Sequence, residues 1–154
     1  MALPLAYVAV AGFFSLAGLL YVNGRPRKVF ISYYSKSDSH FKNLIMAWAN
    51  NNKFKLNIED VSTDTKIKSD DESYLKRRMK EQISKADDFL IFIGEDTHKR
   101  QWVVWEIEQA KILKKRIIAV KENKQYKSPK PLLSSGAIWV YGFSEEGIRS
   151  ALNS

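Results

Sequence analysis

Trp102 and Glu106 lie one helical turn apart, in a stretch where a carboxylate is out of place. Residues Thr97 to Leu113, THKRQWVVWEIEQAKIL, read as a helix. At about 100° per residue, Trp102, Leu113, Ala110, Val103 and Ile107 share one arc of roughly 140°, the face a helix buries. Glu106 projects from the middle of that arc. Glu108 points the other way and has Lys111 three residues on, the spacing of a solvated ion pair. Glu106 has Gln109 and Ala110 three and four residues ahead, so it lacks such a partner. An ionised carboxylate on an apolar stripe is costly unless a specific group satisfies it. The residues leave two readings open: a structural acid satisfied from another element, or an acid that a site uses.

Composition narrows the chemistry. The chain has no cysteine, which removes thiolate nucleophiles, disulfides, cysteine-type zinc sites and iron–sulfur clusters. Its two histidines, His40 and His98, are not spaced as a metal pair, so no metal is expected and neither is a Ser–His–Asp triad. A carboxylate is the best catalytic group available. A net charge of +8 on 154 residues suits an anionic partner such as a lipid headgroup or a phosphorylated small molecule. The basic residues form no aromatic-interleaved stripe and no nucleic-acid motif, so a solvated lysine-rich surface is favoured and no nucleic acid is expected.

The elements that must position Glu106 follow from hydrophobic periodicity. Val29–Tyr34, VFISYY, reads as a buried strand. Ser35 to Asp38 offer caps for a helix over Ser39–Asn50, with Phe41, Leu44, Ile45 and Trp48 on one side. Phe54–Asp60 alternates as an edge strand, and Val61–Asp71 is a polar loop. A helix over Glu72–Lys85 places Tyr74, Leu75, Met79, Gln82 and Ile83 near one face. Strands follow at Asp88–Ile93, Arg116–Val120 and Ala137–Tyr141, and Ser144 caps a last helix. Strands alternating with helices, the central ones apolar on both faces, predict a doubly wound five-stranded parallel α/β sheet of order 2-1-3-4-5. Ligands of such sheets bind beyond the C-terminal strand ends, between strands 1 and 3. The loop after strand 1, the loop after strand 2 and the start of the Glu106 helix should meet there. Strand 1 is followed by no glycine-rich turn, which excludes a dinucleotide Rossmann site and a P-loop. Strand 3 ends in Gly94 and strand 5 in Tyr141-Gly142, unlike the acidic and lysine positions of response-regulator receivers.

Ahead of this domain, Leu3 to Val22 holds no charged residue and is about long enough to span a bilayer core of roughly 30 Å. Arg25, Arg27 and Lys28 follow it and no Lys or Arg precedes it. The expectation is a single-pass anchor over residues 1–22 in the cell membrane, N-terminus outside. A short juxtamembrane linker, 23–27, then leads to a cytoplasmic domain over 28–154, whose basic charge is available to the lipid bilayer.

At this point the residues resemble a family. VFISYYSKSD is similar to the first box of TIR domains, and FLIFIGEDTHKRQWVVWEIEQA to the later box, where enzymatic members carry Trp-x-x-x-Glu. The resemblance covers about Lys28 to Ser154 and is closest to the TIR-like domain of Thoeris antiphage defence. It implies a flavodoxin-like sheet and an enzyme that cleaves NAD+ between nicotinamide and ribose, by hydrolysis or cyclisation, with NAD+ as substrate and no cofactor. Glu106 would be the catalytic glutamate. Ser32, Tyr33, Ser35, Asp60 and Trp102 would line the substrate crevice, and the loop from Asp60 through Lys68 would gate it and contact the next copy. The implied partners are further copies of the chain and a downstream effector of the same defence system. The other reading within this resemblance is a non-catalytic module that assembles or binds a nucleotide signal.

Overall fold

The computed structural model describes residues 24–62 and 70–154. The membrane span read over residues 3–22 and positions 63–68 of the gating loop lie outside the described residues. Among the described residues no helix is long and apolar enough to cross a membrane. Five strands, β1 (Arg27–Ser32), β2 (Ile58–Asp60), β3 (Asp88–Ile93), β4 (Arg116–Lys121) and β5 (Ile138–Tyr141), form one parallel sheet in the expected order β2-β1-β3-β4-β5. The α-helices of the described residues are α1 (Ser39–Ala49), α2 (Glu72–Lys85), α3 (Gln101–Ile112) and α4 (Glu145–Asn153). The architecture is flavodoxin-like.

Side-chain alternation sorts the core into two layers. Phe30, Phe89, Ile91, Ile93 and Ala119 face α2 and α3, where Ile83, Val103, Ile107 and Ala110 meet them. Val29, Ile31, Leu90, Phe92, Ile118 and Val120 face α1 and α4, against Phe41, Ile45, Ile148 and Leu152. All six residues of β3 are buried, as a central parallel strand covered on both sides requires. Each large aliphatic or aromatic side chain buried here contributes about 1.5–3 kcal/mol. Asp71 caps α2 by accepting from Ser73 N and Tyr74 N, and Ser144 caps α4 by accepting from Gly147 N, as its position predicts.

Several boundaries differ from the expectation. β1 begins at Arg27 and stops at Ser32, because Tyr34 O accepts from Ser37 N and Asp38 N and closes a turn. β2 keeps only three residues of the expected Phe54–Asp60. Phe54 N bonds back to Asn51 O, and contact with β1 starts where Arg27 N meets Asn57 O. Tyr74 is exposed rather than part of the α2 core face. Lys111 Nζ reaches Pro131 O and Ser134 Oγ, so the expected Glu108 pair is replaced by a tie to the 3-10 turn Lys130–Ser134. The helix read from Thr97 divides into a 3-10 turn, Thr97–Lys99, and α3, with Arg100 extended between them at φ −89°, ψ 105°.

Candidate active site

The division at Arg100 sets where Glu106 falls. α3 packs Val103, Ile107 and Ala110 onto the sheet, and Glu106 stands on that same face, 5% exposed. The sheet residue beneath it is Ser32, the buried last residue of β1. Ser32 Oγ donates to Glu106 Oε2 at 2.5 Å, a contact between residues 74 positions apart. Ser32 is on the α3 face because it alternates with Phe30, whose ring packs in that layer. Among the described residues this hydroxyl is the carboxyl's hydrogen-bond partner. Burial pushes the Glu106 carboxyl from an ordinary 4.5 up to about 7, against the lowering effect of the Ser32 hydrogen bond. The pair lies at the C-terminal end of β1, between β2 and β3, where the order of the sheet reverses.

Other side chains fix the helix that carries Glu106. Trp102, one turn before Glu106, stacks on Trp105 at 5.6 Å between ring centroids, and Lys76 Nζ of α2 lies 6.0 and 5.9 Å from the two rings. The start of α3 is tied to the loop after β1, where the Arg100 guanidinium lies 3.8 Å from the Tyr34 ring centroid. A second tie was not visible in the sequence, which suggested Asp38 only as a helix cap. Asp38 is buried and makes no cap hydrogen bond. Its Oδ1 accepts from Ser37 Oγ, and its Oδ2 faces Thr97 Oγ1, which in turn accepts from Gly94 N at 2.8 Å. A Cβ at position 94 would sit 2.6 Å from Asp38 Oδ2, so glycine alone fits that close approach. The signal in the sequence is the Gly94 that ends β3.

The residues assigned to the crevice by resemblance separate into groups. Ser32 bonds to Glu106, and Trp102 stands one turn before it on α3, against Trp105 and Lys76. Tyr33 packs on the opposite face of the sheet, in the α1 layer, with Lys42 Nζ 5.6 Å from its ring centroid. Asp60 is on that side too, in register with Val29, and forms a buried ion pair with Lys42 at 3.0 Å. Its Oδ1 accepts from Ser62 N, which fixes the start of the following loop. Ser35 is exposed in the turn after β1. The placement of Tyr33 and Asp60 follows from strand alternation. A side chain adjacent to one facing α3 must face α1.

A carboxyl titrating near 7 holds both protonation states at neutral pH. A cationic group seated against it favours the ionised form and offsets the desolvation. The arrangement suits holding a hydroxyl, stabilising a developing positive charge, or accepting a proton from water. Among the described residues no group of three or more His, Asp or Glu is placed to hold a metal ion.

The profile of the family described as "Thoeris protein ThsB, TIR-like domain" matches residues 30–127. No curated protein sequence matches the chain. A solved structure of the Clostridium botulinum CMP N-glycosidase BcmB superposes with a TM-score of 0.57 at 14% identity, over 82% of this chain and 98% of that one. A 2-deoxyribosyltransferase from Bacillus psychrosaccharolyticus superposes with a TM-score of 0.52 at 14% identity, over 79% of this chain and 90% of that one. At these identities the likeness is one of fold.

Proposed function

The chain belongs to the TIR-like domain family of Thoeris protein ThsB, and from that premise we propose that it cleaves the N-glycosidic bond between nicotinamide and ribose in NAD+. The product is free ADP-ribose or a cyclised form of it, made in prokaryotic antiphage immunity. The reading is carried by one observation, the buried Glu106 carboxyl held by Ser32 Oγ at the switch point of the sheet. The bond class is supported by the company of the fold, which in two solved proteins bears the names of an N-glycosidase and a deoxyribosyltransferase.

The chemistry asks little beyond a placed carboxylate. The pyridinium nitrogen of NAD+ takes the electron pair of the breaking bond, so nicotinamide leaves neutral and needs no proton. The positive charge moves to C1′ and the ring oxygen of the ribose, an oxocarbenium-like state as in glycoside hydrolysis. The Glu106 carboxylate stabilises that charge and accepts from the ribose hydroxyls, while Ser32 fixes one of its oxygens. Water then attacks C1′ and gives up its proton to Glu106 or solvent. In cyclisation a hydroxyl of the same molecule attacks instead.

In this reading the apolar run over residues 3–22 anchors the chain in the cell membrane with the catalytic domain in the cytoplasm, where NAD+ is. Copies assemble there, and the product reaches a downstream effector. The test is nicotinamide release by the membrane-reconstituted full chain beside Glu106→Gln, with products identified by mass. The variant should fold and lose about a hundred- to a thousandfold in turnover. Absence of turnover in the unaltered chain at every density, with or without infected-cell extract, would leave a non-catalytic assembly module.

A further inference from the structure

The base of the sheet, at the end away from Glu106, holds a cavity of about 450 Å3 whose polar wall is made of cations and amides, beside the aliphatic Leu56, Ile58 and Leu152. Arg25, Arg27, Lys55, Asn57, Arg149 and Asn153 line it, and no lining residue is acidic. The carboxylates behind the wall balance this face incompletely. Asp88, fully buried, is shared by two guanidinium groups, with Arg27 Nε and Arg116 Nε each donating to it at 2.6 Å. Arg25 Nη2 donates to Asp87 and Arg149 Nε to Glu145. Each of the three lining arginines thus commits one nitrogen to a carboxylate, and a guanidinium has five N–H donors. Lys55 adds an exposed ammonium.

We propose that this cavity seats the phosphate-bearing headgroup of an anionic phospholipid. The occupant is indicated by place as well as charge. The uncharged apolar run ends at Val22, and Arg25 is three residues on. At no more than about 3.6 Å per residue, the three residues from the end of that run to Arg25 can span at most roughly 11 Å. The proposal rests on the membrane reading of residues 3–22 and turns a tether into an oriented contact, with the base of the sheet on the bilayer and Glu106 facing away from it.

The test uses the full chain in vesicles of equimolar phosphatidylcholine and phosphatidylglycerol, washed with alkaline carbonate, then solubilised, with retained lipid counted by mass spectrometry. The expected result is a chain that survives the wash and retains phosphatidylglycerol in preference to phosphatidylcholine. Lys55→Ser with Arg149→Gln should lower that preference about fivefold for each charge removed. Lys55→Ser alone, on an exposed side chain, carries the test if the pair of changes weakens the fold. Lys124→Ser, a charge-matched change beyond the opposite end of β4, should leave the preference unaltered. A retained chain whose preference is the same in the base variants, or falls equally with Lys124→Ser, overturns the cavity and spares the membrane reading. Displacement of phosphatidylglycerol by inorganic phosphate would show a free-anion site instead and overturn the lipid. Release by carbonate would overturn the membrane reading, and the lipid with it.

Discussion

Glu106 is expensive where it stands, and that expense gives a measurable signature separate from catalysis. Its carboxyl is favoured neutral in the fold, at about 7 against 4.5 when unburied. The stabilisation from burying the neutral acid is fully present below 4.5 and is lost as pH rises through about 7. At ~1.4 kcal/mol per unit, the ionised carboxylate costs the fold about 3 kcal/mol at alkaline pH. Glu106→Gln keeps the shape and an acceptor for Ser32 but cannot ionise. It should therefore melt at a higher temperature than the unaltered chain at pH 8 and at nearly the same temperature at pH 4.5, in thermal unfolding followed by circular dichroism. An equal difference at both values would mean the carboxyl is not desolvated. Ser32→Ala removes the one contact that lowers the Glu106 pKa. If the ionised form is the active one, kcat/KM for NAD+ should rise through a higher pH in that variant, by about one unit for the loss of a charge-assisted hydrogen bond. Loss of rate with an unmoved profile would assign Ser32 to packing.

The elements show why some of this was legible in the chain and some was not. The sheet order and its layers follow from runs such as FLIFI, buried on both faces, and from strict alternation along β1 and β3. Glu106 was legible from helical period alone. Its partner was not, because Ser32 is 74 residues away and only the family resemblance brought the two together. The same resemblance put Tyr33 and Asp60 in the substrate crevice, and alternation turns both side chains to the α1 layer, away from the acid. Instead, Asp60 and Lys42 join β2 to α1 through an ion pair whose side chains are 3% and 9% exposed. Lys42→Met would leave a buried carboxylate without its cation and should lower unfolding stability by about 3–5 kcal/mol in a denaturant titration. Adding Asp60→Leu should recover most of it, since a buried pair replaced by apolar groups is near neutral. A Lys42→Met loss under 1 kcal/mol, within the range of about 0–1 kcal/mol for exposed pairs, would mean that water reaches Asp60.

At the scale of the whole molecule, the parallel sheet has two unlike ends. The strands begin at a face where Arg27 and Arg116 converge on Asp88, with Arg27 two residues on from Arg25. They end, about 20 Å away for a six-residue strand, at the face that carries Glu106 and Ser32. If the chain is tethered near its base, as proposed, this second face lies parallel to the bilayer and neighbouring copies share one plane and one orientation. Confinement to that plane raises the concentration each copy experiences without any new contact. If the crevice is completed by a neighbour, NAD+ turnover per molecule should climb as the same amount of full chain is reconstituted into less lipid, and the rise should be lost on dilution with empty vesicles after fusion. A site complete within one copy predicts a constant rate per molecule at every protein-to-lipid ratio. The Glu106→Gln protein distinguishes the two further. Mixed into the same bilayer, it should support turnover by the unaltered copies if it lends them only its surface. It should merely dilute them if each copy works alone.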